Sequence, residues 1–243
     1  MITNALIEAA SKLRDEVDLI GDKLVLEGTV DCVYNPLMYA WEPHKAFIKL
    51  GGDKGAKTLL LGMNPGPHGM GQMGIPFSAT SVVRDLLKIR NLSVKQPRNI
   101  HPKRPVTGLN WHKEEISGTR LWNLLEEHYN DVENIFSNVF VVNHCPLMLF
   151  KGKRATNITP DRISGENARE LIEKCDYHLR KVVDIMGIKK IVGVGKYAEK
   201  RAVEALKENN IEITGCWHPS PASPLANRNK GEDWRENIRS VLP

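Results

Sequence analysis

A chain of 243 residues with 41% apolar and 26% charged side chains has the makings of one compact domain with a sizeable core, and no tract is biased toward disorder. Lys and Arg outnumber Asp and Glu by 34 to 29, a balance that favours polyanionic partners and says nothing about fold. The four cysteines, Cys32, Cys145, Cys175 and Cys216, stand far apart with no C-x-x-C, which argues against a disulfide framework and against a zinc or iron–sulfur site held by these thiols.

The chain opens on an amphipathic helix with Leu6, Ile7, Ala10, Leu13, Val17 and Ile20 on one face and acids within it, unlike a signal peptide. A strand is expected at "TLLLGM" (58–63), then a helix over about 80–90 capped by Ser78 or Thr80. The loop "KQPRNIHPKRPVTGLNWHKEEISG" (95–118) is long enough to suggest a working surface. Beyond it the pattern predicts a helix at 117–129 and a strand at "VFVVNHC" (139–145). Then come a helix at 164–187, a strand at "KIVGVG" (190–195), a helix at 196–209, a strand at "IEITGCW" (211–217) and a helix at 231–242 begun by Gly231 and Asp233. The most apolar run, "VFVVNHCPLMLF", is too short for a bilayer and is broken by Asn143, His144 and Pro146. A cytoplasmic location is expected, nucleoid-associated in a bacterial cell.

Alternation of strand and helix predicts a three-layer α/β/α fold around a central, mainly parallel four-stranded sheet. With no internal repeat and no linker, residues 1–243 read as a single domain. Open parallel sheets bind ligands outside the carboxyl ends of their strands. Three predicted strands run into "GMNPGP", "NHCPLM" and "HPSPASP", so Asn64, Asn143 and His218 converge on one crevice if the strands are parallel.

Each of these residues also has a plain structural reading: Asn64 as a turn residue before Pro65, Asn143 as a tie for its own loop, His218 as a packed imidazole. As site groups, an amide can pair bidentately with a heterocycle edge, and an imidazole can donate to a developing anion. The first motif contains no Asp or Glu, so its residues offer no carboxylate pair. "GMGQMGIP" is too glycine-rich for a helix or strand, which hangs Met70 and Phe77 from a loop where a flat ligand could stack. "GVGKYA" imitates a dinucleotide fingerprint, but Glu212 starts the next strand instead of ending it, and close strand–helix packing at Gly193 and Gly195 accounts for the glycines.

The stretches "YNPLMYAWEPH", "LGMNPGPHGMGQMGIPF", "HPKRPVTGL", "SGTRLWNLL", "NHCPL" and "HPSP" together resemble the single-strand-selective monofunctional uracil-DNA glycosylases of the uracil-DNA glycosylase superfamily. That resemblance implies hydrolysis of the N-glycosidic bond of uracil, and of 5-substituted uracils, in DNA without metal or cofactor, leaving an abasic site. It implies Asn64 as the residue that positions water and His218 as the group that stabilises the departing base. It further implies Asn143 as the reader of the uracil edge and Phe77 as the stacking ring, with Gly62, Met63, Gly66 and Met70 lining the pocket. No lysine stands in these motifs to form a Schiff base, in keeping with monofunctional action.

The DNA partner, single-stranded or double-stranded, is expected to meet Arg98, Lys103 and Arg104 of the basic loop and Ser220, Pro221, Ala222, Ser223, Arg228 and Lys230 after His218. A solvated face is the other reading of the basic loop. Three positions depart from the family pattern: His68 replaces a frequent aromatic, Ser78 a usual glycine, and Ala222 an arginine that wedges into the duplex. Two competing readings follow: the same fold acting on another deaminated base such as xanthine or hypoxanthine, or a catalytically weak lesion-binding protein. The protein is expected to work as a monomer, away from membranes.

Overall fold

In the computed structural model, which describes residues 1–90 and 92–243, seven strands fall into two sheets. The strands are β1 (Cys32–Tyr34), β2 (Thr58–Gly62), β3 (Val139–Asn143), β4 (Met148–Lys151), β5 (Thr156–Ile158), β6 (Lys190–Val194) and β7 (Glu212–Cys216). The helices are α1 (Ile2–Leu26), α2 (Pro36–Tyr39), α3 (Trp41–Gly51), α4 (Met70–Met73), α5 (Ile116–Tyr129), α6 (Val132–Asn138), α7 (Glu166–Met186), α8 (Lys196–Ala205), α9 (Pro224–Asn227) and α10 (Glu232–Arg239).

The main sheet runs β3-β2-β6-β7 with every pairing parallel, which bears out the expected α/β architecture. Leu59, Leu60 and Leu61 on β2 are all fully buried. Because consecutive side chains point to opposite faces, both faces of the sheet must be covered. Each such leucine contributes roughly 1.5–3 kcal/mol on burial, so β2 anchors the sheet. The register sets Gly62 opposite Asn143, Gly193 opposite Gly215 and Val194 opposite Cys216. The segments that follow β2, β3 and β7 therefore leave the sheet at one edge. At Gly193 an added Cβ would overlap the backbone of Glu199, so the glycine serves close packing of α8 on β6.

A second, antiparallel sheet, β1-β4-β5, was not foreseen. Its strands hold only three or four residues each, too few to show a period of two. It carries the buried Tyr34 and Phe150, whose rings meet edge to face at 5.1 Å.

Two local expectations fail. The segment expected as a helix over 80–90 forms only a π-helical turn at Val82–Leu86. Neither proposed cap acts: the Thr80 hydroxyl donates to the Trp111 carbonyl at 3.2 Å, the Ser78 hydroxyl is buried without a partner, and Lys88 at φ +55° ends the turn. Conversely, the glycine-rich segment contains a helical turn, α4, closed by left-handed Gly74, whose N–H donates to the Met70 carbonyl at 2.7 Å. At the last helix Gly231 is the residue before the first turn, while Asp233 lies inside that turn.

Candidate active site

At the carboxyl edge of the main sheet, Met63, Asn64, Gly66, Met70, Phe77, Asn143, His218 and Ser220 line one cleft of about 260 Å³, open to solvent. The chain reaches it through the short bonds of the sheet edge: His144 and Cys145 N–H groups donate to the carbonyls of Gly62 and Met63, both at 2.9 Å. These bonds lock the Asn143 turn to the Asn64 turn.

The Asn64 amide nitrogen donates to the Leu147 carbonyl at 3.3 Å, which leaves its oxygen as an acceptor. The next residue is fixed from the second sheet, where Asn157 Nδ2 donates to the Pro65 carbonyl at 2.9 Å. Gly69 must be bare, because a Cβ there would overlap the Ser78 carbonyl oxygen. At Gly66, by contrast, a Cβ would meet no heavy atom within 4 Å, so this wall of the cleft is open.

Asn143 and Phe77 meet over Gly62. A side chain at Gly62 would overlap both Asn143 Oδ1 and the Phe77 ring, so the glycine makes their approach possible. Among the described residues Asn143 Nδ2 donates only to the Met70 sulfur at 3.2 Å, a weak acceptor that gives up the donor cheaply. Phe77 holds φ +50°, a costly backbone state for an aromatic residue. It is wedged by α5, where Gly118 packs so closely under the Phe77 carbonyl that a Cβ would overlap it.

His218 sits on a loop tied down from three sides. Arg120 donates to the Pro219 carbonyl at 3.1 Å and to Asn227 Oδ1 at 3.0 Å; Asn237 Oδ1 accepts from Trp217 N–H at 2.8 Å; and Trp234 Nε1 donates to the Trp217 carbonyl at 2.9 Å. The Ser220 N–H donates to His218 Nδ1 at 3.1 Å. Since Nδ1 accepts, a neutral ring must carry its proton on Nε2. Burial lowers the imidazole pKa below its ordinary value and so favours that neutral form. The ring centroid lies 5.9 Å from that of Phe77, and Gly195 at φ +91° backs it. The result is a fixed imidazole, uncharged when neutral, beside the Phe77 ring.

Sequence reasoning missed Glu115, Ser117, Asn157 and Thr159, which also line the cleft. Glu115 brings an acid into a crevice whose first motif supplies none. Its carboxylate is the cap of α5, accepting from Gly118 N–H, and burial raises its pKa above the ordinary value. The signal was present in "EEISG", where an acid stands just before a helix start. Asn157 had no comparable signal, because it arrives from the short sheet.

His68 lies outside the cleft, its ring stacked on Trp111 at 5.5 Å in a neighbouring groove with Lys103, Arg104 and Lys113. Of the loop cations, Arg98 is paired with Asp18 and Asp22, and Arg104 donates twice to the Ala155 carbonyl, at 3.0 and 2.7 Å. Arg228 pairs with Asp233 at 3.2 Å. Lys103, Pro221, Ala222 and Lys230 are exposed and Ser223 is half-buried; Ala222 N–H donates to Ser220 Oγ at 3.2 Å. Lys230 stands at φ +57° in a tight turn.

Residues 48–242 match the profile of the Uracil DNA glycosylase superfamily. The single-strand selective monofunctional uracil DNA glycosylase of Bos taurus is 38% identical over 229 residues, 93% of this chain and 82% of that protein. Its Rattus norvegicus counterpart is 40% identical over 214 residues, 87% of this chain and 76% of that one. The crystal structure of Pedobacter heparinus SMUG2 superposes with a TM-score of 0.61 at 16% identity, covering 86% of both chains, which supports the fold alone. With the profile spanning most of its length and relatives of this identity, the chain belongs to the uracil DNA glycosylase superfamily, among the single-strand selective monofunctional uracil-DNA glycosylases.

Proposed function

We propose that the protein is a monofunctional base-excision glycosylase that hydrolyses the N-glycosidic bond of uracil in DNA and leaves an abasic site. The observation that carries this reading is the convergence of Asn64, Asn143, Phe77 and His218 on one cleft, with each polar group held in a defined orientation.

The target base must leave the stack, at a cost of a few kcal/mol that is least in single strands. Phe77 offers a ring for it to stack on, and Asn143 offers an acceptor for uracil N3–H and a donor for O4. Cytosine presents the opposite pattern. As the C1′–N1 bond breaks, its electron pair passes to the base, and the negative charge gathered on O2 is met by the Nε2–H of His218. The sugar acquires oxocarbenium character. A water held by Asn64 Oδ1 attacks C1′, and its proton is released to the uracil anion or solvent. A carboxylate base is not needed, because the electrophile is a cation flanked by DNA phosphates.

The finer range belongs to the same proposal. The open wall at Gly66 leaves room for 5-substituted uracils beside the Met70 side. Lys103 and Lys230, both exposed, are the candidate phosphate contacts. The test is base release from oligonucleotides with one uracil, single- and double-stranded, scored by alkaline scission with and without chelator, alongside 5-hydroxymethyluracil, hypoxanthine and xanthine. Release of uracil with scission only after alkali is expected in both chelator arms. DNA binding without release of uracil from either strand form would sink the reading and favour a lesion-binding role, and preferential release of xanthine or hypoxanthine would move the activity to another base.

A further inference from the structure

His144 follows Asn143, assigned above to base reading, and it is 1% exposed. Its Nε2 lies 2.8 Å from Asp176 Oδ1 on α7, and its Nδ1 lies 3.0 Å from the Tyr197 hydroxyl on α8. The second Asp176 oxygen holds the Arg201 guanidinium. A carboxylate only accepts, so Nε2 carries the imidazole proton and Nδ1 accepts from the Tyr197 O–H. Burial lowers the His144 pKa and favours this neutral tautomer.

None of these four side chains lines the cleft, so none touches the base. Stability is a poor reason for the arrangement: well-packed apolar residues in place of a buried ionic network are often neutral or stabilising. What a hydrogen-bonded network does supply is a single geometry, and in this one every link from Tyr197 to Arg201 is made, with Arg201 Nε alone finding no partner among the described residues. Here it joins the turn of Asn143 to two helices at once. The start of α8 then touches both halves of the chemistry, through Gly195 against His218 and through Tyr197 to His144. The Asn143 amide needs such help, since its own anchor is one bond to a sulfur.

We propose that the Tyr197–His144–Asp176–Arg201 chain is a positioning device for Asn143, and that Tyr197 and His144 act in uracil recognition through it. The inference rests on the uracil reading above. Loss of one buried hydrogen bond of this kind corresponds to about a three- to tenfold fall in kcat/KM if it acts on the transition state.

The experiment is a double-mutant cycle. Tyr197→Phe, which removes only the hydroxyl, and Asn143→Ala are made singly and together, with kcat/KM for uracil release, inhibition by free uracil and Tm measured for each. His144→Leu is the second probe. Tyr197→Phe is expected to lower kcat/KM about three- to tenfold, to weaken free uracil by a similar factor, and to do neither in the Asn143→Ala background. Equal losses in both backgrounds, or a lower Tm with kinetics unchanged, would overturn the proposal. Failure of the wild-type protein to release uracil is a separate result and would overturn the uracil reading itself.

Discussion

The base cleft and the 95–118 loop use polar side chains in opposite ways. In the cleft the principal groups are amides and a neutral imidazole, Asn64 and His218 each fixed by a backbone partner and Asn143 by the Met70 sulfur. In the loop the groups are cations, and the two arginines read as DNA contacts are already committed within the protein, Arg98 to two aspartates and Arg104 to a carbonyl. Uncharged groups cost less to bury and to aim than ions do, so a site that must enclose a base is built from them. Charge that steers a polyanion works at the surface and tolerates loose geometry.

The comparison breaks first at His218. His218→Ala is expected to lower kcat about 10²–10³-fold while DNA affinity holds, since the donor acts on charge that exists only as the bond breaks. A parallel loss of binding would make it a loop-holding residue instead. Next comes Gly62→Ala, which changes no polar group yet forces apart Asn143 and Phe77. A loss of about 10²-fold in kcat/KM with a native circular dichroism spectrum is expected, because misplacement by an ångström carries that cost.

Acid stability sharpens the contrast from a third direction. His44, whose Nδ1–H donates to the Gly74 carbonyl at 2.7 Å, and His178 are pushed by burial to pKa values of about 4 and about 3. Folded values below the ordinary 6.5 mean that the unfolded chain binds more protons as pH falls. Stability should therefore be flat above about pH 6.5 and decline from there down to about pH 3. Tm against pH checks this, and His178→Gln should flatten the decline.

The loop itself is tested by salt. Each lost phosphate contact lowers the slope of log affinity against log salt by about 1. Lys103→Ala should show that change, whereas Arg98→Ala should leave the slope intact, because its charge is spent on Asp18 and Asp22. Equal slopes for the two variants would mean that the ion pairs open on DNA.

How far the molecule could be read from its sequence follows the same division. The parallel sheet was legible because β2, β3, β6 and β7 are short apolar runs between helical periods, and the convergence of Asn64, Asn143 and His218 followed from strand ends alone. The resemblance supplied the roles. Glu115 and Asn157 escaped because they reach the cleft from a helix cap and from a three-residue strand, neither of which spacing links to the first motif. The partners of Arg98 and Arg104 escaped for a different reason: composition counts charges and is blind to which of them are already paired across 50 to 80 positions.

Ala222 gives the smallest effect and the finest test. It is exposed on the turn after His218, its N–H held by Ser220 Oγ, so a longer side chain there meets solvent and not the core. Arg228, close by in sequence, is already paired with Asp233. Ala222→Arg should leave activity on single strands within about twofold and raise activity on duplex several-fold, because unstacking costs a few kcal/mol only where a partner strand must be displaced. The readout is the ratio of kcat/KM on the two substrates. An unchanged ratio would show that duplex opening is limited elsewhere, and the groove of His68, Trp111, Lys103 and Lys113 is where the next substitutions belong.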